Sequence, residues 1–337
     1  MTDTESKVAG YAKGAYRRDA IPELPELPNK DRIAKAIEGG DFLERLPWAN
    51  YAFLDISLSP SSVQSQQKRR SGGSRYPNAG PVWDHRRQPS EFIKNRWQML
   101  FLLAGSFADR SIFVLFFGAS LLAALIMGVS EWSLYAFFKS LLVSVIIYGI
   151  HLFFRFPFTW FIHRYPDTVI KDLGCGFFRP TGKVVLRGWR EETFEAPFVE
   201  FDPYISFTVN YRGPVTYNLF LVHRYTGKRT TVASVDQTRK VQLYAHWDEL
   251  QRYMDVSQPL PDVPALEPYR HLDPTTAEYD AAGKRGRPAD YWKNLDLEWW
   301  EKEGYPEHMR KIEEFPWSSL KDRMRDHVPN LDSAAYV

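Results

Sequence analysis

Two apolar runs set the pattern of this chain, SIFVLFFGASLLAALIMGV over residues 111–129 and LYAFFKSLLVSVIIYGIHLFFRF over residues 134–156. Each is close to the roughly 20 residues that a helix needs to cross a hydrocarbon core. From Ser111 to Gly128 there is no charge, whereas a core helix of a globular protein ordinarily keeps a polar face. The pattern therefore predicts a transmembrane helical hairpin turning at Ser130-Glu131-Trp132-Ser133. Lys94, Arg96 and Arg110 before the first run, with Arg155, Arg164 and Lys171 after the second, place both flanks on the cytosolic side of a bacterial inner membrane. Trp97, Arg110, Trp132, Arg155 and Trp160 are the expected membrane-interface residues, and Lys139 is expected to reach the outer headgroups along its own stem. Ser120, Ala124 and Gly128 recur at every fourth position of the first run, and Ser140 and Ser144 do so on the second, giving faces for close helix packing. Packing of the two runs on each other and packing between copies in a homo-oligomer would use the same stripe.

After Pro166 the pattern changes from continuous to alternating. Candidate strands are Thr168 to Phe178, Lys183 to Trp189, Thr193 to Phe201, Ile205 to Tyr211, Thr216 to Tyr225 and Thr230 to Val235, parted by turn signals such as Arg179-Pro180-Thr181-Gly182 and Thr226-Gly227-Lys228. Strands this close, without helices between them, predict an antiparallel meander. The period then becomes helical. Leu243, Trp247, Leu250 and Met254 share one face of KVQLYAHWDELQRYMD and, with Trp189, make the expected domain core. The predicted fold class is an α+β membrane protein, a two-helix transmembrane hairpin followed by a curved antiparallel β-sheet closed by one α-helix, like a pleckstrin-homology domain.

The remaining segments are read by exclusion. Residues 1–90 form a polar, proline-rich and partly disordered arm, in which Gln64 to Gly80 reads as a flexible loop carrying the basic cluster Lys68, Arg69 and Arg70. An interfacial helix and the hairpin occupy 91–158, the sheet-plus-helix domain 167–256, and a proline-rich linker with an aromatic, charged helical tail 257–337. Within the tail, Trp292, Trp299 and Trp300 are expected to dock on the sheet domain, or to form a patch for a partner protein.

Composition narrows the chemistry. A mean hydropathy of -0.38 describes an anchored protein rather than a polytopic transporter. A formal net charge of +2 argues against nucleic acid as the main partner. The single Cys175 excludes an internal disulfide and a multi-cysteine metal site. Nucleophile-elbow, phosphate-loop and dinucleotide fingerprints are absent, and the eight histidines show no paired metal spacing. No cofactor, metal or catalytic residue is therefore expected. His246 with Asp248 and Glu249 comes nearest to an acid-base group, and these side chains are expected on a solvated helix face.

Arg179-Pro180-Thr181-Gly182-Lys183-Val184-Val185, Gly188-Trp189, Tyr217-Asn218-Leu219 and above all His246-Trp247-Asp248-Glu249-Leu250-Gln251-Arg252-Tyr253-Met254 carry a resemblance. They are similar to a bacterial family of unknown function whose members are two-span inner-membrane proteins, many encoded near type VI secretion effectors. The resemblance covers about Phe92 to Leu266 and brings no catalytic residues with it. It implies a non-enzymatic protein that binds a secreted toxin or a secretion component, in immunity or as an accessory. The alternative expectation is a membrane adaptor whose domain reads anionic lipid through Lys171, Arg179, Lys183, Arg187 and Arg190, or reads another membrane protein. A third is an enzyme with an unrecognised site.

Overall fold

A computed structural model describes residues 10–26, 44–70, 82–90, 174–187, 192–209, 215–329 and 331, with isolated helical positions between 118 and 149. Its framework is two four-stranded antiparallel sheets. The first has the order β1-β6-β7-β8, from Glu44–Arg45 (β1), Phe201–Val209 (β6), Val215–His223 (β7) and Arg229–Asp236 (β8). The second has the order β2-β3-β4-β5, from Arg87–Gln88 (β2), Gly176–Phe178 (β3), Lys183–Arg187 (β4) and Thr193–Pro197 (β5). In β4 the side chains alternate as the sequence does, with Val184 and Leu186 buried and Lys183 exposed. Ile205 of β6 faces Leu219 of β7 across the ladder, and both are fully buried.

Among the described residues, the α-helices that complete the framework are α1 (Pro60–Arg70), α2 (Gln242–Met254), α3 (Pro274–Ala281), α4 (Leu297–Trp299) and α5 (Tyr305–Glu314), with a π-helical turn, Trp300–Gly304, joining the last two. Leu243, Trp247, Leu250 and Met254 of α2 all turn into the core. There Tyr16, Trp48, Phe198 and Trp247 form an aromatic cluster with ring centroids 4.9–5.8 Å apart, edge-on except for the tilted pair Phe198 and Trp247. Both the arm and the tail contribute to this core: Tyr16, Leu24, Leu46 and Trp48 from the N-terminal arm, and Trp292, Trp300, Met324, Val328 and Leu331 from the tail.

Several expectations are corrected here. Among the described residues no helix is long and apolar enough to cross a membrane, which overturns the transmembrane fold class, the membrane keywords and the inner-membrane placement that rested on them. The two runs at 111–129 and 134–156 lie outside the described residues apart from isolated positions, where Leu122, Ile126, Leu142 and Ile146 are exposed. Among the described residues the core is built without them. Of the residues expected at an interface or a helix-packing stripe, only Lys139 is described, and it is exposed; Trp97, Arg110, Trp132, Arg155, Trp160, Ser120, Ala124, Gly128, Ser140 and Ser144 lie outside. The single curved sheet becomes two, because the chain passes from one sheet to the other between β5 and β6, and the N-terminal arm adds an edge strand to each. The loop expected from Gln64 begins as helix α1, where Val63 is fully buried and Gln67 Nε2 donates to the carbonyls of Trp292 and Leu295 at 3.4 Å.

Candidate functional site

Asp248 and Glu249 are not on a solvated face. Both are buried on α2, and they hold the segment 51–57 by its backbone. Asp248 Oδ1 accepts the Ala52 amide at 2.7 Å, while Glu249 Oε2 accepts the amides of Ile56 at 2.8 Å and Ser57 at 3.0 Å. The Ser57 hydroxyl donates to Glu249 Oε1. The sequence puts 246, 248 and 249 on a solvated face, since helix neighbours one and three residues apart point to different faces or converge only in part. What the local period does not contain is a second chain segment laid over that side.

Arg252, one turn on, donates to Asp248 Oδ2 at 3.0 Å and pairs with Asp55, whose carbonyl in turn contacts His308 from α5. One guanidinium therefore pairs with two carboxylates, those of Asp55 and Asp248, while the Glu249 carboxyl beside them feels its charge without a direct bond to it. Burial, with the Asp55 charge added, pushes the Glu249 carboxyl up to about 7, and burial also raises Asp248. His246 is pushed down to about 4 by desolvation and is neutral at neutral pH.

At the tip of the clamped segment stands Phe53. Its φ is +55°, the one positive φ at a non-glycine residue among those described, and its ring is 59% exposed. An aromatic residue in the left-handed region is strained by about 1–3 kcal/mol. The ring lies 5.3 Å from the Arg252 guanidinium and edge-on to Tyr51 at 6.0 Å, and the Tyr51 hydroxyl is fixed by Asp255 at 2.8 Å. The surroundings thus determine this conformation from both sides.

Ser57 with Glu249 has the outline of a nucleophile and its base. The chemistry lacks its other half, because the amides of Ile56 and Ser57, which would stabilise an oxyanion, are spent on Glu249 itself.

A cavity of about 800 Å³ opens elsewhere, between the turn at 267–272, the end of α3 and the loop 283–290. Arg270, Arg285 and Arg287 line it together with Glu267, Asp280 and His271. Arg285 spends all its donors on Asp262, Glu267 and the carbonyls of Pro288 and Ala289, and Arg270 forks onto Asp280 at 2.8 and 2.7 Å. Arg287 reaches Asp262 at 3.2 Å and lies over the Tyr291 ring. Three guanidiniums are matched by the carboxylates of Asp262, Glu267 and Asp280, so the wall is electrically balanced.

The aromatic tail is not a surface patch. Trp292 and Trp300 are buried in the core, and of the three only Trp299, 44% exposed, faces solvent. Trp189, placed in the core by the sequence pattern, lies outside the described residues. Arg179, grouped with basic residues for lipid contact, is fully buried. Cys175 is partly buried and unbridged, and no cluster of metal-ligating side chains occurs among the described residues. The chain matches no family model, no curated protein and no solved structure, so no relative supports type VI secretion, immunity or toxin neutralisation for it.

Proposed function

We propose that this is a binding protein that engages a partner protein through the segment 51–57, with Phe53 as the anchor. The observation that carries this reading is the Phe53 backbone. Strain at an exposed aromatic residue contributes nothing to the core, yet two buried carboxylates and a guanidinium hold it in place. A rigid ring standing out of a surface, with little rotamer entropy left to lose, is what interface hot spots are made of. The charged groups beneath it fix the anchor and take no part in covalent chemistry.

The test compares variants. Phe53→Ala removes the ring, and Phe53→Gly removes ring and strain together. Both are expected to lose a stoichiometric partner that copurifies with the unaltered chain, while Phe53→Gly raises stability by about 1 kcal/mol in urea denaturation, because glycine adopts a positive φ without cost. Equal recovery of that partner by all three proteins would sink the proposal.

A further inference from the structure

The carboxyl groups beneath Phe53 are more numerous than their counter-charges, and this points to regulation of the same site. We infer that the segment 51–57 is a proton-controlled clamp, closed when Glu249 is neutral and loosened when Glu249 ionises. The inference rests on the partner-binding reading for its purpose, and on geometry for its existence.

The charged and titratable groups around Glu249 come from the segment, from α2 itself and, at one remove, from α5. Asp55 and the Ser57 hydroxyl face it from the segment, Asp248 and Arg252 share its helix, and His308 of α5 contacts the Asp55 carbonyl. Arg252 is already committed to Asp248 and Asp55. A negative charge on Glu249 is then the third in a cluster with one positive charge, at a residue only 2% exposed.

The neutral acid satisfies the same partners without that charge. Its carbonyl oxygen, Oε2, keeps the amides of Ile56 and Ser57, and its hydroxyl, Oε1–H, donates to Ser57 Oγ in place of accepting from it. Ionisation keeps three accepted hydrogen bonds but adds repulsion from Asp55 and the cost of an unpaired buried charge.

The sign follows from proton binding. A carboxyl whose folded value lies above its unfolded one holds more protons in the folded state between the two, so stability falls as pH rises through that interval. For Glu249 the interval runs from the ordinary glutamate value up to about 7. The clamp's contribution is complete at acidic pH and lost as pH rises through neutrality.

Hydrogen exchange on the full chain tests this directly, read as the protection of peptides covering 51–57 between pH 5.5 and 8.5 and corrected for the intrinsic pH dependence of exchange. Protection in the unaltered protein is expected to fall at least tenfold across this range, and in Glu249→Gln, which imitates the neutral acid, to stay level. A titration of the Glu249 carboxyl carbon by NMR gives a second readout that needs no variant, with a midpoint expected near neutrality. Flat protection in the unaltered protein, an equal fall in Glu249→Gln, or a midpoint at the ordinary glutamate value would each overturn the clamp. These outcomes are separate from the fate of the binding role. Loss of partner by Phe53→Ala with pH-independent protection removes the clamp alone, whereas a pH-dependent segment whose Phe53→Ala variant keeps its partner removes the binding role alone.

Discussion

Arg179 joins three parts of the chain through one side chain. Its guanidinium forks onto Asp273 at 2.8 and 3.1 Å and donates to the carbonyls of Tyr253, Asp255 and Gln258 at 2.6–2.8 Å. The carbonyls of Tyr253 and Asp255 belong to the end of α2, where a helix leaves acceptors unpaired and favours a cation, and that of Gln258 to the loop that follows. Asp273 meanwhile caps α3 through the Thr276 amide and receives the Tyr11 hydroxyl. The guanidinium holds the Asp273 carboxyl below its usual range against the opposing effect of burial. Arg179→Met is therefore expected to cost about 3–5 kcal/mol in urea denaturation, since it strands a buried carboxylate and several carbonyls. A loss under about 1 kcal/mol would show that water replaces the guanidinium. Neither this role nor that of Glu249 was legible in the sequence. A basic residue before Pro-Thr-Gly reads as a turn, and the acceptors that define it lie more than 70 residues away.

The elements whose signal is local were largely legible. Alternation over 183–187 and 229–236, and the helical period over 242–254, need only the chain's own neighbours, and they mark β4, β8 and α2. Two-residue strands such as β1 and β2 carry no period at all and exist only because a partner strand is present. The turn between β3 and β4 shows how tightly such parts are seated. Gly182 has φ +67°, and a Cβ there would stand 2.6 Å from both the Gly14 carbonyl oxygen and the Tyr16 amide nitrogen. Gly182→Ala is expected to displace the arm at residues 10–16, because backbone on both sides cannot yield as a side chain can. The expected readout is faster proteolysis within residues 10–26, with the β4–β8 region still protected. Unchanged cleavage would mean that the arm has room to move without detaching.

At the scale of the whole molecule, the aromatic tail belongs to the core and is no appendage. Trp292, Trp300, Met324, Val328 and Leu331 share one cluster with Trp48, Phe198 and Trp247. Burying each such side chain contributes about 1.5–3 kcal/mol, against a total domain stability of about 5–15 kcal/mol. A chain ending at residue 290 is therefore expected to show no cooperative urea transition, whereas the full chain unfolds in one. A cooperative transition in the shortened protein would make the tail a separable layer. Docking of these tryptophans on the sheet domain is the first reading of the sequence and a partner patch the alternative, because local sequence does not show which of them the rest of the chain covers.

The amide of Leu24 donates to the carbonyl of His327 at 3.0 Å, so a residue near the start of the sequence is bonded to one near its end. Synthesis proceeds in one direction at about 5–20 residues per second, and roughly 300 residues separate the two partners, an interval of about 15–60 s. During that time Trp48 and its neighbours lack the cover that Met324 and Val328 later supply. A nascent chain in this condition is a client for whatever shields exposed aromatic surface at the ribosome. The pace of translation then sets the earliest moment at which this bond between residues 24 and 327 can form.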